Sequence, residues 1–82
     1  MLEKLQKDDL VLFSNGDEAV VTDVYRRSDG WYNVYFNKRV YGTRQFRDNF
    51  WIYDKDGRPQ FRNDTDRVNI IKVIHVRERE TR

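Results

Sequence analysis

The chain of 82 residues contains no cysteine. Disulfides and thiolate metal sites are both excluded, so the fold must rest on packing and hydrogen bonds, and a reducing, cytoplasmic setting is expected. Histidine occurs once, as His75, which leaves no imidazole cluster for a metal. No apolar stretch approaches the roughly 18 residues that a membrane helix needs. The opening Met1 to Asp9 has no apolar segment of the kind a signal peptide carries, so no membrane association is expected. Glycine-rich phosphate loops, nucleophile elbows and zinc spacings are likewise missing. The fourteen acids offer no singular pair for acid–base work. The expectation is a non-enzymatic protein without cofactor or metal.

Glycine and proline are scarce, four and one respectively, and each therefore marks a position. Asn15-Gly16 and Asp29-Gly30 separate three apolar or alternating runs, Leu10 to Phe13, Ala19 to Tyr25 and Trp31 to Phe36. That is the signature of strands joined by tight hairpins. Gly42 marks a bend in a ragged strand over Arg39 to Phe46, and Phe50 to Tyr53 is a compact apolar run closed by the turn Asp54 to Gly57. Arg58 to Phe61 reads as a short edge strand because Pro59 donates no backbone bond. Val68 to Val76 is the clearest strand of the second half, and Leu2 and Leu5 are spaced to cover one open end of a barrel.

These elements predict a mainly β fold, a small SH3-like barrel or strongly bent antiparallel sheet of five to six strands. One domain spans residues 1–76, and the charged tail 77–82 is expected to fray. The expected core is Leu10, Leu12, Val20, Val24, Tyr32, Val34, Phe36, Phe50, Ile52, Ile71 and Val73. The last strand can be turned over, since Ile70 and Ile74 flank Lys72 on its other face.

The opening from Lys7 to Phe13, with Asn15-Gly16 and Ala19 to Val24, resembles the start of SH3-like barrels of the KOW and Tudor kind. The second half, with Phe50 to Tyr53, Asp56-Gly57-Arg58 and Asn69 to Ile74, is similar to small phage and prophage proteins. That resemblance implies an accessory protein acting in a bacterial host's cytoplasm, including one directed against a host defence. It assigns no catalytic residue.

Charge is sorted along the chain although the net formal charge is only +2. Met1 to Val24 carries an excess of four acids, and Tyr25 to Arg47 an excess of five bases. On strands, Tyr25, Trp31 and Tyr35 form a candidate stacking platform, with Arg26, Arg27, Arg39 and Arg44 as phosphate contacts for nucleic acid. Tyr41, Arg47, Trp51, Tyr53 and Arg58 form a second set, of the residue types that dominate protein–protein contacts or a homodimer interface. Nucleic-acid binding leads, docking onto a host protein is the alternative, and capture of a small nucleotide by an oligomer is a third reading. Asp54, Asp56, Asp64 and Asp66 lack the further ligands of a calcium loop, so turn chemistry is their expected role.

Overall fold

The computed structural model describes residues 1–39, 46–60 and 68–76, and for residues 38, 39 and 46–48 it describes the backbone alone. A single 3-10 turn at Leu2–Lys4 precedes β1 (Leu10–Phe13), β2 (Glu18–Arg26), β3 (Tyr32–Arg39), β4 (Phe46–Tyr53) and β5 (Ile70–Ile74). The strands form one sheet in the order β4-β3-β2-β1-β5, and every pairing is antiparallel. The protein is thus mainly β, as its runs and turns predict. The tail 77–82 lies outside the described residues.

The hairpin turns are built by side chains that mimic backbone. Asn15 Oδ1 accepts the Asp17 N–H at 3.0 Å, and Asp29 Oδ1 accepts the Trp31 N–H at 3.1 Å. Asp54 Oδ1 receives the N–H groups of Asp56 and Arg58, both at 2.9 Å, which assigns this aspartate to turn formation. Pro59 makes an isolated bridge to Tyr53, and the Gln60 N–H donates to Ile52 O at 2.9 Å, so the chain returns briefly along the β4 edge.

Bending of the sheet brings this last turn to β5. The Ile70 N–H donates to Gly57 O at 2.8 Å, and the Leu2 N–H donates to Lys55 O at 2.9 Å. Gly57 adopts φ +82°, and a Cβ there would sit 2.2 Å from the Ile70 carbonyl oxygen. Only glycine fits this approach.

The buried core consists of Leu2, Leu5, Val11, Phe13, Ala19, Val21, Val34, Phe36, Tyr53 and Ile70. Val34 and Phe36 are where the alternation places them. Val24, Tyr32 and Val73 pack at the margin. Elsewhere the faces are reversed. Val11 and Phe13 point inward in place of Leu10 and Leu12, and the Phe13 ring meets Phe36 at 5.4 Å between centroids. The run Leu10 to Phe13 is apolar on both faces, so alternation cannot choose between them. In β2 a register shift between Val21 and Asp23 adds one residue, which lets Val21 and Val24 both face inward while Val20 does not. In β5 the register steps from Lys72 opposite Leu12 to Ile70 opposite Phe13. Ile71 is squeezed out and is 56% exposed, while Ile70 is buried.

Residues 40–45 of the expected strand over Arg39 to Phe46, with the bend at Gly42, lie outside the described residues. Arg39 ends β3, Phe46 begins β4, and the two are register partners. β4 is thereby one long strand whose inward residues include Tyr53, packed with Trp51 against the core, and not Phe50 or Ile52. Burial pushes the Tyr53 phenol far above the ordinary tyrosine range.

Asp9 is the one buried charged residue among those described. Its Oδ2 accepts the Gln6 N–H at 2.9 Å and lies 2.8 Å from His75 Nδ1, and its Oδ1 accepts the Val76 N–H at 2.9 Å. The carboxylate thereby ties the turn before β1 to the chain just after β5.

Two sets of variants check this account. Gly57→Ala should lower the unfolding free energy by about 2–4 kcal/mol through backbone strain and the displaced closing bond. Gly16→Ala and Gly30→Ala, with positive φ but open space around them, should each lose about 1 kcal/mol. Urea unfolding of the three variants measures the difference, and equal losses would show that the closure is not anchored at Gly57. Asp9→Ala should cost about 3 kcal/mol or more, because three donors lose a charged acceptor. His75→Ala, which removes one donor from a partly exposed position, should cost about 1 kcal/mol. Thermal unfolding that ranks the pair the other way would refute the role given to Asp9.

Candidate binding surfaces

Strand alternation and the β2 bulge decide what the sheet shows to solvent. On the outer face, Asp23 and Tyr25 of β2, Asn33, Tyr35 and Asn37 of β3, and Phe50 and Ile52 of β4 lie in register. Tyr25 is 63%, Tyr35 39% and Phe50 44% exposed. The Tyr35 and Phe50 rings are stacked, with centroids 4.8 Å apart and planes 29° from parallel. Aromatic pairs of this geometry contribute about 0.5–1.5 kcal/mol beyond their buried area, so the two rings form a firm ridge. On either side of Tyr35, the Oδ1 atoms of Asn33 and Asn37 are closed off without a hydrogen-bond donor.

Tyr25 and Tyr35 thus share one open face, as the platform reading expects, and Trp31 stands half-buried just before β3. The arginines of that reading are placed differently. Arg26 donates through Nη2 to Glu3 O at 2.8 Å and to Leu5 O at 2.7 Å, and through Nε to Glu3 O at 3.3 Å. Its guanidinium also lies 5.8 Å from the centre of the Tyr32 ring. It therefore holds the N-terminal segment against the end of β2. Arg27 pairs with Asp29 at 2.6 Å within its own hairpin. Neither arginine takes a carboxylate of the acidic first segment as its partner. Arg44 and Tyr41 lie outside the described residues, and Arg39 and Arg47 are described by backbone alone, on β3 and β4.

The second candidate set is divided as well. Tyr53 is 2% exposed and Trp51 is half-buried, so the rings expected outside are packed inside, and Phe50 and Ile52 take the outer positions. Phe50-Trp51-Ile52-Tyr53 is apolar at every position, and the inward pair is selected by the register with β3. Arg58 is exposed in the turn after β4, where its backbone bonds to Asp54 close the loop.

One feature escapes a reading of the chain alone. A groove of about 440 Å3 is lined by Lys4, Leu5, Gln6 and Lys7 on one side and Val24 and Arg26 on the other. No sequence signal marks it, because its walls are about twenty residues apart and are joined by the Arg26 bonds.

Among the described residues no helix is long and apolar enough to cross a membrane, and no cluster of metal-ligating side chains occurs. No protein-family model matches the chain, and no curated protein or solved structure matches it significantly.

The geometry makes the two neighbouring arginines unequal. Arg26→Ala should destabilise the fold by about 1 kcal/mol or more, since it removes charge-assisted bonds to two carbonyls. Arg27→Ala should change stability by no more than about 0.5 kcal/mol, as for exposed ion pairs generally. Chemical denaturation of both variants distinguishes them.

Proposed function

We propose that the protein is a non-catalytic docking module that binds a partner protein through the outer face of β2, β3 and β4. The observation that carries this reading is the set of rings Tyr25, Tyr35 and Phe50, open to solvent on three adjacent strands. Rings held rigidly on strands lose little conformational freedom on binding, which is why such residues dominate contact energies. Charge favours a protein over nucleic acid as the partner. Asp23, the register partner of Tyr35, is acidic, and an anion there repels phosphate. Arg26 and Arg27, the nearest described arginines, are engaged with Glu3, Leu5 and Asp29. A partner contact with an apolar seat for the Tyr35 and Phe50 ridge and a basic group opposite Asp23 fits this face. The resemblance to phage accessory proteins supports an adaptor or inhibitor acting on a host protein.

The test compares the native protein with Tyr35→Ala/Phe50→Ala and with Ile71→Ala, which removes an exposed apolar residue from β5. A stoichiometric, nuclease-resistant partner should be retained by the native protein and by Ile71→Ala. The double variant should bind it at least about a hundredfold more weakly, the loss of two anchors at roughly 1.4 kcal/mol each. Anisotropy with labelled single-stranded DNA and RNA is measured in parallel. Salt-sensitive binding to an oligonucleotide that is lost with Tyr25→Ala would overturn protein docking in favour of nucleic acid.

A further inference from the structure

β2 has nine residues and its neighbour β1 only four, so the second half of β2 runs on past β1. On its other side it remains paired with β3 through Asp23/Tyr35, Val24/Val34, Tyr25/Asn33 and Arg26/Tyr32. Antiparallel pairs alternate between those that exchange main-chain bonds and those that do not. The Arg27 N–H donates to Trp31 O at 2.9 Å. Counting back in twos from that bond, Tyr25 and Asp23 bond to β3, while Val24 and Arg26 direct their N–H and C=O groups away from it. The Val24 N–H is taken up locally by Asp23 Oδ1 at 2.8 Å, which agrees with this direction. The Val24 carbonyl and the Arg26 backbone have no partner among the described residues.

Those groups face the groove described above. Its far wall is the segment Lys4 to Lys7, held off β2 by the bonds of Arg26 to Glu3 and Leu5 and by the Gln6 bond to Asp9. Val24 supplies apolar surface, and the exposed Lys4 and Lys7 supply two cations. Neither lysine has a carboxylate partner among the described residues. Of the nearby acids, Glu3 is engaged by the N-terminal amine at 2.9 Å and Asp9 by its three donors, while Asp23 stands on the outer face of β2.

We infer that this groove is a docking site for an acidic peptide segment in extended conformation, which adds a short strand to the edge that the described residues leave open on β2. Main-chain bonds to the Val24 carbonyl and the Arg26 backbone set its register, alternate apolar side chains rest on Val24, and its carboxylates meet Lys4 and Lys7. Charge complementarity to Lys4 and Lys7 identifies the occupant as acidic, and the strand edge left unpaired among the described residues identifies it as extended. The site is separate from the outer aromatic face, so either can fail without the other.

The probe is a fluorescein-labelled hexapeptide of alternating glutamate and valine, followed by anisotropy at low salt. Saturable binding is expected, and it should weaken at least about tenfold in Lys4→Glu/Lys7→Glu, whose exposed positions leave the fold intact by thermal unfolding. Tyr35→Ala/Phe50→Ala should bind the peptide unchanged. The same peptide methylated on alternate backbone nitrogens should lose binding, and amide exchange at Arg26 should slow only with the unmethylated form. Equal binding of the methylated peptide, equal competition by inorganic pyrophosphate, or no saturable binding would overturn the proposal.

Discussion

The arrangement depends on one buried carboxylate. Asp9 is withdrawn from water, and a charge in that position is tolerable only when donors replace its hydration. Gln6, His75 and Val76 supply them from two ends of the chain. The consequence is geometric. The turn at Gln6–Asp9, in which Asp8 adopts φ +75°, is locked against the start of β1, and β5 is locked beside β1. Aspartate tolerates this left-handed conformation better than most residues do. The same lock positions the segment Lys4 to Lys7 that forms one wall of the groove.

A second constraint comes from the two sheet irregularities. A bulge in β2 turns Val24 inward and leaves Tyr25 on the outside, and a shift in β5 buries Ile70 while expelling Ile71. A strictly alternating β2 would place Val21 and Val24 on opposite faces. The extra residue also increases the local twist, which suits a sheet whose last turn must reach β5 through the Gly57 and Ile70 bond. The outer aromatic face and the exposed edge of β2 both follow from this bending.

The class of fold was legible in the chain because glycine turns at Asn15-Gly16, Asp29-Gly30 and Asp56-Gly57 act through local backbone chemistry. The inward face of β3 was legible too, since Asn33 breaks the apolar pattern on one side. The faces of β1 and β4 were not, because Leu10 to Phe13 and Phe50 to Tyr53 are apolar throughout. This ambiguity carried into the candidate site. Tyr25 and Tyr35 stand out on the surface as expected, whereas Trp51 and Tyr53 exchange places with Phe50 and Ile52.

The strands β1 to β3, the hairpins that join them, the absence of any disulfide and the residue types available for contact are written in the chain, because these depend on neighbours within a few positions. The extent of β4, the choice of open rings, the bonds of Arg26 to two backbone carbonyls and the meeting of His75 with Asp9 arise in the folded chain alone. Those outcomes turn on register and on contacts across twenty to nearly seventy residues. A one-residue shift in a strand reverses every side chain that follows it, and such a shift leaves no mark in a run that is apolar on both faces.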